Sequence, residues 1–415
     1  MSGTEESAHG GAPEEEAGER NEWLELFFDL VVVAAVAVLS EGLREEPTPW
    51  GLGLFVLLYG GIWLGWVTVV LYANVARQQT RTRTVMLAMG LVAVMAATAP
   101  SHFAERANAF AIAFLLLRVV TSRASFGTGR LLVSWPLLQL GGATLPWVIA
   151  MWVDAPGKYA LWGLGLVLDL AGVLFSRGTV SERDLAQANK RLADLATAGH
   201  RTPARMEVVD VETGHLSERL GLFVIIVLGE AVSALVLTAA SHQWTNAFVG
   251  IAIAGFVLLI GLWWLTFSYG FVGAPHSQLA QLPPRFGLPM HLLTTLGIVA
   301  LAAGIGELAA EPGRPLHGVL RWVMCSGLAL HYVVMGIAGV AGKAPKRWLF
   351  GWALSCAIVP LVVGAFPDAL SNEQVMWCFV ATIAWMAVYA GLSGDRPRRG
   401  RPGRGAGRPA VDTAT

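Results

Sequence analysis

The chain has 415 residues, of which 55% are hydrophobic and only 14% charged, with 47 glycines. Soluble domains use roughly 45–50% apolar and about 25% charged residues, so a water-soluble globular class is excluded and the lipid bilayer is the expected partner. The formal net charge is zero, which offers no basic excess for nucleic acid, and no nucleic acid is expected as a partner.

In chain order, residues 1–23 are acidic, with Glu5, Glu6, Glu14, Glu15, Glu16, Glu19 and Glu22 against Arg20. This is the reverse of a positively charged signal-peptide leader, so the first apolar run is expected to stay in the mature protein and 1–23 to be a disordered tail. Apolar runs of spanning length then follow one another. They predict helices near 24–40, 50–72, 84–100, 107–122, 131–152, 158–176, 218–240, 246–270, 287–307, 317–340, 347–366 and 373–394. Backbone amides in hydrocarbon must be bonded inside the segment, and barrel-type alternation is absent. The predicted fold class is therefore an all-α membrane protein of about twelve transmembrane helices. Residues 177–217 form a polar connector, in which Ser181-x-x-Asp184 opens a short helix carrying Leu185, Leu192 and Leu195. The Arg-, Pro- and Gly-rich segment 395–415 reads as a disordered basic tail.

Alternating the loops from the N-terminus puts 23 of the 28 loop and tail Lys and Arg residues on the N-terminal side. By the positive-inside rule both termini and the connector are expected in the cytoplasm, in a cytoplasmic (inner) membrane. The halves 24–176 and 218–394 also match. Glu22-x-Leu24-x-Leu26-Phe27 returns as Glu218-x-Leu220-x-Leu222-Phe223, and Ile62-x-Leu64-x-Trp66-x-Thr68 as Ile260-x-Leu262-x-Trp264-x-Thr266. Later matches lie at slowly growing offsets, with Arg118 opposite His331. The expectation is two six-helix repeats of the same orientation.

Two segments carry a family resemblance. Glu25-Leu26-Phe27-Phe28-Asp29-Leu30-Val31, and His215-Leu216-Ser217-Glu218-Arg219 followed by Gly221-Leu222-Phe223 and Leu228-Gly229-Glu230, resemble the signatures of the low temperature requirement protein A family of bacterial multi-pass membrane proteins. Phe27, Phe28, His215, Glu218, Arg219, Gly221 and Gly229 are the motif residues. The resemblance implies a role in growth in the cold and supplies no reaction.

A charge at the centre of a span costs on the order of 2.5–3.5 kcal/mol on insertion scales, so Glu25, Asp29, Arg118, Asp169 and Glu230, with His291 and His331, are the candidate pathway or buried charge network. Glu25 and Asp29 share one helical face. Arg118 has two available counter-ions, Asp29 and Asp169, and the expectation is that Asp29 and Arg118 meet, with Glu25 and Glu230 or Asp169 close by. Gly60-Gly61, Gly141-Gly142 and Gly221 are expected to mark close helix contacts. Four acids against one Arg favour a proton or a monovalent cation over an anion. Cys325, Cys356 and Cys378 all lie in apolar runs, so no disulfide or metal site is expected, nor any cofactor. A zinc His-Glu-x-x-His, a nucleophile elbow and a phosphate loop are missing, which argues against an enzyme. The leading expectation is a secondary transporter or ion pathway for protons, a monovalent cation or a small solute. The alternatives are a non-catalytic membrane-homeostasis factor and an intramembrane enzyme.

Overall fold

The computed structural model describes residues 12–76, 80–99, 103–131, 141–175, 207–273, 284–312, 316 and 318–393, with positions 183, 185–187, 189–190 and 193–194 of the connector. The N-terminal helices are α1 (Ala12–Glu45), α2 (Pro49–Ala76), α3 (Thr82–Thr98), α4 (Phe103–Phe126), α5 (Leu145–Ile149, between two short 3-10 turns) and α6 (Gly157–Phe175). The C-terminal ones are α7 (Thr213–Ser241), α8 (Asn246–Tyr269), α9 (Pro284–Ala310), α10 (Gly318–Ala341), α11 (Lys346–Ala365) and α12 (Asn372–Ser393). The chain is a helical, multi-pass membrane protein, and among the described residues ten helices are long and apolar enough to cross a bilayer. Of the twelve expected spans, 84–100 corresponds to α3, an apolar helix of 17 residues at the short end of spanning length, and 131–152 is described only over the short stretch Gly142–Trp152.

Two expected boundaries move. Helix α1 starts at Ala12, so residues 12–23 are helical rather than a disordered tail; Ala, Glu and Arg are strong helix formers, and early acids suit the positive end of the helix dipole. The terminal segments 1–11 and 394–415 lie outside the described residues, as do Ser181, Asp184, Leu192 and Leu195. Helix α7 starts at Thr213, five residues before the expected 218, so His215 rides on it instead of in the connector.

Apolar residues that point outward, such as Phe27, Leu30, Leu237 and Phe267, meet lipid rather than water. Helices α2 and α9 form the centre, each with 83% of its most apolar window buried, because both are apolar around most of their circumference. Glycine sets the close approaches: a Cβ at Gly165 would fall 2.4 Å from Trp147 Nε1, and one at Gly339 would overlap the Trp348 ring. Gly60 and Gly61 face Leu166 and Phe110 at 3.0 and 3.2 Å, as expected, but Gly141, Gly142 and Gly221 have open space where a Cβ would go.

The segment entering α7 is stitched to the N-terminal helices. Its strand β2 (Glu207–Val208) pairs in parallel with β1 (Arg130–Leu131). The Asn74 side chain donates to the Glu212 carbonyl at 3.1 Å and accepts from its amide at 3.0 Å. These bonds fix the depth at which α7 enters the bundle, and with it the position of His215 and Arg219.

Candidate functional site

Glu25 and Asp29 are four residues apart on α1, and His215 and Arg219 four apart on α7, so each helix presents a two-residue polar stripe to the other. Arg219 Nε lies 2.8 Å from Glu25 Oε2, and its Nη1 lies 3.7 Å from Asp29 Oδ2. His215 Nε2 stands 3.6 Å from the same Glu25 oxygen. The second Asp29 oxygen accepts the Trp66 indole N–H of α2 at 2.6 Å. Asp29 is 1% exposed and Arg219 4%, so bulk water does not solvate this set. Among the described residues two carboxylates share one guanidinium, and the partly exposed His215 could add a second positive charge.

Beside the cluster His291 of α9 is fully buried in a box formed by Trp63, Trp66, Phe223 and Phe271. Trp63 Nε1–H donates to His291 Nδ1 at 2.9 Å, and His291 Nε2 lies 3.0 Å from the Leu220 carbonyl. An indole is only a donor and a carbonyl only an acceptor, which fixes the neutral Nε2–H tautomer. His291 therefore ties α2, α9 and α7 together with both ring nitrogens occupied. It has no free position for a travelling proton.

Arg118 takes the other acid. Its Nη1 pairs with Asp169 Oδ2 between α4 and α6, with both side chains almost wholly buried. The expected meeting of Asp29 with Arg118 is thus replaced by two separate sets, Asp29 with Trp66 and Arg219, and Arg118 with Asp169. Glu230 joins neither. It lies eleven residues beyond Arg219 on α7, about 16 Å at 1.5 Å per residue, and lines a cavity of about 290 Å³ shared with Ser40, Glu41 and Arg44 of α1. His331 is buried on α10, and neither of its ring nitrogens has a hydrogen-bond partner among the described residues. Glu218 and Gly229 are exposed, Phe27 faces outward and Phe28 packs in the core. Among the described residues no group of three His, Cys, Asp or Glu side chains is placed to hold a metal, and the three cysteines are free thiols.

Two arginines assigned to loops from the sequence are buried inside helices. Arg219 completes the cluster, and the signal for it was its spacing from His215, the same as that of Asp29 from Glu25. Arg321, 4% exposed on α10, donates to the carbonyls of Val363, Gly364, Phe366 and Pro367 where α11 ends, and to Leu316. It satisfies carbonyls that the terminating helix leaves without partners.

The two stretches that face each other in the cluster, Glu25 to Asp29 and His215 to Arg219, are the two signature segments, far apart in sequence. A family model described as bacterial low temperature requirement A protein (LtrA) matches residues 20–389. The chain belongs to the LtrA family. It is also similar to an uncharacterized protein of Rhizobium meliloti (strain 1021), at 27% identity over 265 residues, covering 59% of this chain and 58% of that one. The chain thus matches less than two thirds of the length of that relative. No solved structure matches it. Within the LtrA fold the two signatures are complementary halves of one contact, which gives a physical reason for their chemistry: acids on α1, bases on α7.

Proposed function

We propose that this LtrA protein is a secondary transporter or ion pathway for protons, a monovalent cation or a small cationic solute, running along the seam of α1 and α7. The observation that carries the reading is the buried cluster in which, among the described residues, Glu25 and Asp29 share Arg219. A buried carboxylate without a full counter-charge costs several kcal/mol unless something returns that energy. A passing cation does. The same two helices carry a second acid, Glu230, about 16 Å further on, and the interval is filled by buried Val32, Val36, Phe223 and Val227. Two acid positions separated by an apolar layer suit a pathway closed in its middle. The test is flux into proteoliposomes holding the purified chain, read with a proton- or potassium-sensitive dye and with labelled n-butylammonium. Flux above that of protein-free vesicles is expected; equality with them would overturn the proposal.

The same reading includes the finer architecture: twelve membrane-crossing helices in two six-helix repeats, in the cytoplasmic membrane with both termini inside. Equivalent packing supports the repeats, since α1 meets α2 and α3 as α7 meets α8 and α9, α3 meets α4 as α9 meets α10, and α2 meets α6 as α8 meets α12. Equivalent bonds support them further. Tyr332 and Thr382, whose hydroxyls lie 2.6 Å apart, join α10 to α12 as Arg118 and Asp169 join α4 to α6, with Tyr332 one residue beyond His331, which stands opposite Arg118. Asn108, which donates to the Met151 carbonyl where the α5 segment ends, corresponds to Arg321 at the end of α11. Removing the buried Arg219 and Arg321 from the loop census leaves 22 basic residues against four, still favouring cytoplasmic termini. Labelling of a cysteine placed in the connector from outside intact cells would overturn that orientation.

A second reading, a non-catalytic membrane-homeostasis factor, draws support from the balanced Arg118–Asp169 pair and the locked His291, which only hold helices together. We favour the pathway because Glu25 and Asp29 are not balanced in that way.

A further inference from the structure

The cavity beside Glu230 has the chemistry of a ligand site, and we propose that it binds a small organic cation, an ammonium or guanidinium group carried on a body of a few carbons. This rests on the pathway reading and deepens it by naming the class of solute.

The charges decide the sign. Glu41 and Arg44 form an ion pair on α1, and the Glu230 carboxylate of α7 lines the same cavity. Two acids and one base leave one negative charge facing the space. Among the described residues Glu230 accepts no hydrogen bond, although it sits half-buried in mid-helix. An anion would meet two carboxylates, whereas a cation would complete the set.

The walls decide the kind of cation. About 290 Å³ is space for roughly ten water molecules at 30 Å³ each, far more than a bare inorganic ion fills. Much of the lining is alanine, including Ala37, Ala234 and Ala302, with the Ser40 and Thr238 hydroxyls among them. Methyl walls cannot replace the oxygen shell of a metal cation, but they suit the short apolar body of an amine whose charged end meets Glu230.

Arg44 then acts as a tethered competitor. Its Nη1 lies where a Cβ on Gly306 of α9 would come within 2.7 Å, so the glycine leaves room for the guanidinium against the α9 backbone. From there it pairs with Glu41 and lines the same cavity as Glu230. An arriving ammonium takes over Glu230 while Arg44 stays with Glu41, and the charge left in the cavity falls to zero.

The test is calorimetric titration of n-butylammonium chloride into the purified full-length chain in detergent, with potassium and sodium chloride as competitors at matched ionic strength. Saturable n-butylammonium binding is expected, not displaced by either salt. Glu230→Gln should weaken it by about tenfold or more, as loss of a charged hydrogen bond does. Ala234→Leu should abolish it by filling the cavity, with an unchanged melting temperature. Arg44→Met should strengthen it, because the competitor is gone; a purely structural role for Arg44 would not give that sign. No saturable binding, displacement by potassium or sodium, or weaker binding in Arg44→Met would overturn the proposal. Flux without binding would remove the site and keep the pathway. Binding without flux would remove the pathway and keep the site.

Discussion

The Arg118–Asp169 pair and the Glu25–Asp29–Arg219 cluster are both buried, yet they handle buried charge in opposite ways. The first is one acid against one base between α4 and α6, closed inside the N-terminal helices. The second sets two acids against one base on α1 and α7, where the N- and C-terminal helices meet. The lesson is that burial alone does not mark function. A balanced pair explains itself by the folding it supports, while an unbalanced one, placed where two sets of helices could move against each other, calls for a further positive charge.

The largest expected effect breaks the balanced side. Arg118→Leu would strand Asp169 in the core and cost about 3–5 kcal/mol. In detergent, melting and yield should fall sharply, and Asp169→Leu in the same chain should restore much of both. An Arg118→Leu protein as stable as the parent would show that the pair does not hold α4 to α6. Next comes Gly339→Ala, whose new methyl would overlap the Trp348 ring. A destabilisation of about 1–3 kcal/mol is expected for such overpacking, read from the same melts, and no change would contradict the close α10–α11 contact.

Tyr332→Phe sharpens the comparison between the two sets of helices. It removes one neutral hydrogen bond to Thr382 between α10 and α12, the helices that match α4 and α6, so a loss of about 1 kcal/mol is expected, well below that of Arg118→Leu. Equal losses would mean that charge contributes nothing special in the N-terminal set. Smallest is Gly229→Ala. Nothing lies within 4 Å of the added methyl, and a stabilisation of about 0.5–1 kcal/mol from helix propensity alone is expected. A large effect would point to a contact with another molecule at this signature glycine.

Much of this arrangement could be read from the sequence, for reasons that differ between residues. Spanning length and hydropathy give the helices, and the four-residue spacing of Glu25 and Asp29 places both on one face. What the sequence does not provide is lateral position. Asp29 lies six residues after the start of its span at Trp23 and Asp169 six residues before the end of its own at Phe175, so distance from a helix end could not choose between them as the partner of Arg118. The packing of α4, α6 and α7 makes that choice. Arg219 and Arg321 went unrecognised as buried because each stands within a turn or two of a helix start, where a long side chain ordinarily reaches water. Here Arg219 turns inward to two acids and Arg321 to the carbonyls at the end of α11. His291 was legible as a buried histidine, but its tautomer follows only from Trp63 on one side and Leu220 on the other.

The unbalanced cluster is tested most directly by Asp29→Asn in proteoliposomes. The asparagine keeps an oxygen for the Trp66 indole and removes one of the two negative charges that share Arg219, so stability should shift by no more than about 1–2 kcal/mol. Flux should fall to that of protein-free vesicles while the melting curve stays close to the parent's. Parental flux in a folded Asp29→Asn protein would contradict the claim that the surplus carboxylate carries the pathway.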